Sequence, residues 1–331
     1  MEGIQQILPE LYRIPVPLPG NPLKELNSYV IRGERNLLID TGFRTEVCKA
    51  AVEEGLRELG ISMEDTDILL THLHADHAGN APDLIRPGGK VYLGRTDIRY
   101  LKRSMGTDQA KELHQIQKEN LLRHGVPLGV IQEMLSQTPS RTMAGRMDFD
   151  DYTPLDEGDV LQAGGYRLRA IETPGHTPGQ MCFLLEGTGA MILGDHVLFD
   201  ISPNITNWAE VEDSLGDYLC SLDKIGRYEV TVPLPGHRKP GDFQKRVAEL
   251  KAHHASRLKE CRMVVERLGK ARLYDIAGQM SWRIRAASWD TFPAAQRWFA
   301  LGECQAHLDH LERQGQIVRR MGDEGWYYET E

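Results

Sequence analysis

The sequence predicts an α/β fold, and three observations carry that expectation. Short apolar runs recur and each stops at a tight turn: Ile68-Leu69-Leu70 before Thr71-His72, Leu168 to Thr173 before Pro174-Gly175-His176, Ala190 to Leu193 before Gly194-Asp195-His196, and Val230 to Leu234 before Pro235-Gly236-His237. Runs of this length bounded by Gly and Pro read as strands. Between them lie segments whose apolar residues are spaced by threes and fours, which read as helices. After residue 241 the pattern becomes almost wholly helical and closes on a hairpin around Gly322-Asp323-Glu324-Gly325, so a second, smaller domain is expected over 241–331.

The chemistry concentrates in Thr71-His72-Leu73-His74-Ala75-Asp76-His77-Ala78-Gly79-Asn80. Side chains at i, i+2, i+4 and i+5 cannot share one face of a regular helix or strand, so the stretch is expected to be a loop that folds its side chains inward. Imidazole and carboxylate donors suit zinc, and also iron or manganese. His176, Asp195 and His237 repeat the same grammar of strand, turn and donor.

With these residues in hand, the chain resembles a metallo-β-lactamase-fold hydrolase, and the match in motif order covers residues 1–240. The resemblance implies an αββα sandwich with its metals at one edge of two packed sheets. It also implies two metal ions, most readily zinc: His72, His74 and His176 on one, Asp76, His77 and His237 on the other, and Asp195 between them. An aspartate at position 195 is similar to glyoxalase II, lactonase and ribonuclease Z relatives, whereas true β-lactamases have cysteine there or lack the bridge. Antibiotic hydrolysis is therefore not expected.

In chain order, Glu10 to Pro15 reads as a first strand, and Val16 to Pro22 as a loop stiffened by proline. Strands follow at Asn27–Ile31 and Asn36–Ile39. Asp40-Thr41-Gly42 is a turn familiar in the superfamily, read either as a buttress of the metal loop or as a plain hairpin turn. A helix spans Thr45–Leu59 with Gly60 as its stop, and the strand before His72 comes next. After Val91-Tyr92-Leu93, residues 96–137 are polar and read as two or three helices, in an insertion over 96–150 where relatives place a lid. Met105, Met134, Met143 and Met147 are assigned to core packing in preference to a pocket, and His114 and His124 to solvated helix faces. Tyr166–Thr173 and Met181–Leu185 are strands, the latter joined to Ala190–Leu193 as a hairpin. Residues 196–205 are irregular and begin beside Asp195, so they are expected to line the cleft, with Asn204 as a candidate substrate contact; His196 is read either as orienting a ligand or substrate or as a structural hydrogen bond to backbone, and Arg238 with Lys239 either as contacts of an anionic substrate group or as a solvated pair. Glu210–Ile225 is a scaffold helix.

From Asp242 a long helix leads into the second domain, where His253 and His254 are read as packing or surface residues. Shorter helices at Leu273–Met280 and Trp298–Gln314 and the terminal hairpin resemble a winged helix. Its would-be recognition helix carries Glu303, Asp309 and Glu312 against Arg313, which would repel phosphate; Arg319 and Arg320 on the wing work the other way. Packing on the catalytic domain, or on a second subunit in a homodimer, is the expected role. A net charge of −9 also argues against a nucleic-acid partner. Five scattered cysteines without a Cys-x-x-Cys pair, no apolar leader at the start and no membrane-length apolar run point to the cytoplasm.

The expected reaction is hydrolysis by a hydroxide bridging two metals, since a bound cation lowers the pKa of water from about 15.7 to about 7. Asp76 is both ligand and candidate acid/base. A small-molecule ester or thioester is the first substrate expectation, as for hydroxyacylglutathione hydrolases. The alternatives are a ribonuclease or phosphodiesterase of the lactamase-beta-2-like type, an iron-dependent persulfide dioxygenase-like enzyme, and a non-enzymatic winged-helix regulator.

Overall fold

A computed structural model describes residues 3–105, 107–136, 151–283 and 286–331. The chain opens with β1 Gln5–Leu8, β2 Leu11–Pro17, β3 Glu25–Ile31 and β4 Asn36–Ile39. Then come α1 Glu46–Glu58, β5 Thr66–Leu69, the one-turn helices α2 Ala75–Ala78 and α3 Ala81–Leu84, and β6 Val91–Gly94. Helices α4 Arg95–Met105, α5 Thr107–Arg123 and α6 Leu128–Ser136 precede β7 Tyr152–Leu155, β8 Val160–Ala163, β9 Tyr166–Glu172, β10 Met181–Leu185 and β11 Ala190–Gly194. The rest is α7 Ser214–Ile225, β12 Val232–Pro235, α8 Phe243–Leu268, α9 Leu273–Gln279, α10 Ala294–Arg313, β13 Val318–Gly322 and β14 Gly325–Glu329.

One sheet runs in the order β1 to β7, and the other in the order β12-β11-β10-β9-β8. Alternation along β3 shows how they stack. Tyr29 and Ile31 face inward and pack with Ile39, Leu69, Leu168, Ala170, Phe183 and Ile192 between the sheets. Leu26 and Val30 face outward beneath Val52 and Leu56 of α1. On the other side Ile171, Met191 and Leu193 lie under Leu215 and Leu222 of α7 and Leu250 of α8. The order of layers is therefore αββα, as expected. The parallel strands β4, β5, β11 and β12 all end at the same edge, where Asp40, His72, Asp195 and His237 follow them.

Four departures have physical reasons. The first strand is β1, which the opening residues did not announce, and Val16 and Pro17 belong to β2 rather than to a loop. Pro15 and Pro17 are tolerated because β1 pairs with β2 only as far as Arg13, so on that side their missing N–H groups cost no ladder bond. The strands β7 and β8 are short and only half-buried, with too little apolar signal to read. Helix α7 starts at Ser214, where the Asp213 side chain accepts from Gly216 N, and α10 starts at Ala294 behind Pro293. Asp40-Thr41-Gly42 is no hairpin turn, since β4 leads through α1 to its parallel neighbour β5.

The insertion shares a core with the C-terminal helices. Leu121, Val126, Ile131 and Met134 pack with Cys261, Val265, Leu273, Ile276, Leu308, Leu311 and Tyr328. Met134 is thus core, while Met143, Met147 and the side chains of Met105 and His114 lie outside the described residues. His124 is not solvated: it is buried, with its ring stacked 6.0 Å from that of Tyr328. All five cysteines are free thiols, and only Cys220 is exposed. No described helix is long and apolar enough to cross a membrane.

Candidate metal centre

Four chain segments deliver the donors. After β5 the chain runs through Thr71 to Leu73 as loop, and Asp76 and His77 then sit on α2 rather than in a continuing loop. Gly175 holds φ 135°, and a Cβ there would lie 2.4 Å from Tyr218 Cβ, so only glycine lets the turn before His176 press against α7. Gly236 leaves similar room, because a Cβ would meet Asp195 Oδ1 and His77 Cε1, each at 2.7 Å.

The side chains converge. His72 Nε2 lies 3.1 Å from His74 Nδ1, which lies 2.9 Å from His176 Nε2. His77 Nε2 lies 3.1 Å from His237 Nε2, which lies 3.4 Å from Asp76 Oδ2. Asp195 stands between the groups: Oδ1 is 3.4 Å from His77 Nε2 and 3.5 Å from His237 Nε2, while Oδ2 is 3.7 Å from His176 Nε2. Of the seven, only His74 and Asp76 reach the protein surface appreciably; the others are buried. Among the described residues, the clusters able to offer three donors to one ion are all drawn from these seven.

The outer nitrogens explain why the inner ones meet. His77 Nδ1 donates to Asp40 Oδ2 at 2.7 Å, His176 Nδ1 to the Asn204 carbonyl at 2.8 Å, and His237 Nδ1 to the Glu25 carbonyl at 2.8 Å. Thr71 Oγ1 gives its proton to Asp40 Oδ2, so toward His72 Nδ1, 3.0 Å away, it can only accept. Four rings therefore turn their remaining nitrogens inward, where lone pairs face one another without enough protons to bridge them. Asp195 Oδ1 is buried and makes no hydrogen bond. Such a donor set fits cations, because only a positive charge relieves that repulsion. The titration pattern divides the cluster. Burial, reinforced by neighbouring rings, holds His72 well below the ordinary histidine value and His74 down at about 3. Burial also opposes charge on His77, yet the Asp40 and Asp195 carboxylates overcome it and raise that ring well above its ordinary value. Burial would raise Asp76, but its hydrogen bond to His237 and the charge on His77 bring it to about 2.

Two further carboxylates set the scaffold. Asp40, at φ 58°, accepts from Thr71 N at 2.8 Å as well as from Thr71 Oγ1 and His77, so the turn does buttress the loop. Asp97 accepts from Leu73 N, Thr177 Oγ1 and Gly179 N at 2.8, 2.8 and 2.7 Å, tying the His74 loop to the His176 loop. Burial lifts its carboxyl to about 7 against those donors. Trp208 stacks on His74 with ring centroids 6.0 Å apart, donates from Nε1 to the His176 carbonyl, and meets Tyr100 edge-on at 5.6 Å. Sequence reasoning passed over Asp97 and Trp208. A tryptophan in an irregular loop beside the expected site was the available signal; a lone acid at the start of a helix gives none.

The expected substrate contacts fare unevenly. His196 is fully buried with its ring edge-on to Tyr218. Asn204 uses its carbonyl on His176, and Arg238, half-buried at φ 66°, donates to the Pro22 carbonyl. His253 and His254 are remote from the cluster; His254 packs against Tyr218 and His307.

Comparison with known proteins agrees with this geometry. The sequence model of the metallo-beta-lactamase superfamily matches residues 24–237, and that of a metallo-beta-lactamase-like C-terminal domain matches residues 290–330. The chain is similar to an atrochrysone carboxyl ACP thioesterase of Emericella nidulans, 26% identical over 82% of this chain and 69% of that one. It superposes on a metallo-beta-lactamase family protein of Thermus thermophilus with TM-score 0.79 and 31% identity, covering 98% of this chain and 100% of that one. A beta-lactamase domain protein of Burkholderia ambifaria gives TM-score 0.82 and 25% identity, over 99% and 94% of the two chains.

Proposed function

The chain belongs to the metallo-β-lactamase superfamily, and on that premise we propose that it is a dinuclear metal-dependent hydrolase of acyl thioesters. The observation that carries the reading is Asp195, whose two oxygens face the two histidine groups while Oδ1 has no hydrogen-bond donor. His72, His74 and His176 would hold one ion and Asp76, His77 and His237 the other, with Asp195 shared and zinc the first candidate. When bound, such a pair supplies Lewis acidity and lowers the pKa of water to about 7.

The chain's own residues do the rest. Asp40, Thr71 and the Asn204 and Glu25 carbonyls fix ring tautomers and directions, so the donors are arranged before any ligand arrives. Asp76, whose side chain is 14% exposed, is the carboxylate of the cluster best placed to take a proton from the attacking water and pass it to a leaving group in the cleft. Trp208 and Tyr100 form an apolar wall beside His74, suited to an acyl chain and to keeping bulk water away.

Thioesters rank first because the Emericella nidulans relative is a thioesterase acting on an acyl carrier protein and matches most of this chain. The C-terminal module, winged-helix-like in its helices and terminal hairpin, supports the fold and does not bind nucleic acid. Its wing cations are already engaged: Arg319 lies 3.5 Å from Asp309 and 3.3 Å from Glu312, and Arg320 lies 2.6 Å from Glu329. Unpaired thiols support a reducing, cytoplasmic setting. The test is to load the purified protein with zinc, manganese or iron and assay acyl thioesters, lactones, phosphodiesters and short RNA. Thioester turnover that exceeds the others supports the reading. Phosphodiester or RNA cleavage without thioester turnover overturns it in favour of a lactamase-beta-2-like nuclease, and oxygen uptake with bound iron in favour of a persulfide dioxygenase-like enzyme.

A further inference from the structure

No regular element covers residues 196–213, yet that stretch supplies two of the contacts that orient the metal-site histidines. The Asn204 carbonyl takes the His176 Nδ1 proton, and Trp208 both donates to the His176 carbonyl and stacks on His74. A strap with so few ladder bonds of its own needs holding from behind. The C-terminal helices do that. Arg246 of α8 donates to the Leu198 carbonyl at 2.6 Å and to the Ile201 carbonyl at 2.8 Å. On α10, Gly302 lies against Thr206 so closely that a Cβ would stand 2.1 Å from Thr206 Oγ1 and 3.0 Å from Thr206 Cβ. One turn on, Ala306 shares a core with Ile205. One further turn on, His310 Nδ1 lies 2.9 and 3.0 Å from the two oxygens of Asp213, the residue that ends the strap and caps α7. His310 Nε2 accepts from Gln314 at 2.7 Å, so Nδ1 carries the proton and donates.

We infer that the C-terminal helices set the metal site through this strap, with Arg246, Gly302 and His310 as positioning residues for His176, His74 and Trp208. The inference rests on the metal-centre reading above. A glycine at 302 follows directly: any larger residue pushes Thr206, and with it the neighbouring Asn204 carbonyl and Trp208 indole. The three contacts are spaced along α10 by four residues, so one helix face fixes the strap along its second half.

The readout is metal affinity rather than turnover. The full-length chain is stripped of metal and titrated with cobalt(II), following its absorption, while circular dichroism reports folding. Partners that orient ligands typically contribute about 10–100-fold in metal affinity. Gly302→Val and His310→Ala are expected to weaken one of two cobalt sites by about that factor while the other keeps its affinity. His310→Asn, whose amide can still donate to Asp213, restores binding. Met263→Ala, an exposed position on α8, leaves it unchanged. Folded Gly302→Val and His310→Ala proteins that bind cobalt like the wild type overturn the inference while leaving the metal-centre reading intact. A wild type that takes up no cobalt overturns both. If His310→Ala does not fold, Arg246→Met decides, because it removes the bonds from α8 to the Leu198 and Ile201 carbonyls: one weakened site supports the inference, and two native sites overturn it.

Discussion

Two histidine-rich regions of this molecule are equally buried and do opposite things. At the sheet edge, His72, His77, His176 and His237 each commit one nitrogen to a fixed partner and turn the other toward a shared centre, where two carboxylates join them. Between α8, α10 and the strap, His254, His307 and His310 are just as enclosed, but among the described residues they gather no third donor. His307 donates back to the Glu303 carbonyl of its own helix, His254 Nδ1 lies 3.4 Å from His307 Nε2, and His310 is satisfied on both sides by Asp213 and Gln314. Among the described residues, no carboxylate converges on His254 and His307, and neither belongs to a three-donor cluster. Histidine density therefore says little. What meets the second nitrogen, carboxylates and further rings at the sheet edge but a single ring between the helices, separates a candidate ligand from a packed ring.

The largest expected effect breaks that contrast at its centre. Asp195→Ala removes the one carboxylate that faces both histidine groups, so the folded variant should lose hydrolysis by ~10³-fold or more, the several kcal/mol that paired cations supply. Steady-state kinetics beside a circular dichroism spectrum checks it. Near-native turnover would remove Asp195 from its assigned place.

A smaller loss is expected one contact further from the centre. Asp40→Asn keeps the shape but cannot accept from Thr71 N, Thr71 Oγ1 and His77 Nδ1 together, so metal affinity should drop by about 10–100-fold. Chelator competition measures this directly. An unchanged affinity would reduce the turn to a structural corner.

The packed histidines should instead be visible as pH-dependent stability. Burial, aided by the nearby Arg319 and Arg272, holds His124 at about 4, burial holds His254 at about 2, and burial holds His307 at about 4. Each stays neutral in the fold while the unfolded chain takes up protons below the ordinary value of 6.5. Stability is therefore complete above that pH and lost as pH falls from about 6.5 toward 4, by ~3 kcal/mol for His124 alone. Because the raised carboxyl of Asp97 works the opposite way over the same window, the measure is the difference between variants: melting temperatures from pH 7 to pH 5 should fall more for the wild type than for His124→Gln, and parallel profiles would mean that this ring is not held neutral.

His253→Ala sets the floor of the series. This ring is half-buried on α8 and has no donor aimed at the cluster, so turnover should stay within about threefold, as for substitutions away from a site. A folded variant without activity would show that the two regions are coupled in a way that the partners of the second nitrogen alone do not capture.

The convergence of the seven side chains and the αββα layers were legible because the segments carrying them follow apolar strands that end at one edge, and short-range pattern records that. Pattern alone could not place what depends on distant contacts. His196 sits one residue from Asp195, yet it is sealed against Tyr218 by a helix that begins 18 residues later. His124 looked solvated on a polar helix because its stacking partner, Tyr328, lies 204 residues away. Asp97 and Trp208 act through backbone groups of other segments, a role that leaves no spacing rule in the sequence. The strands β7 and β8 escaped notice because edge position and partial burial leave them little apolar content.

The inward-turned donors are proposed to hold two cations. Elemental analysis of the purified chain, after supplementation with zinc and exhaustive removal of loose ions, tests it most directly. Two metal ions per chain, falling below two in Asp195→Ala, is the expected result; a wild type holding one ion or none under the same treatment contradicts it.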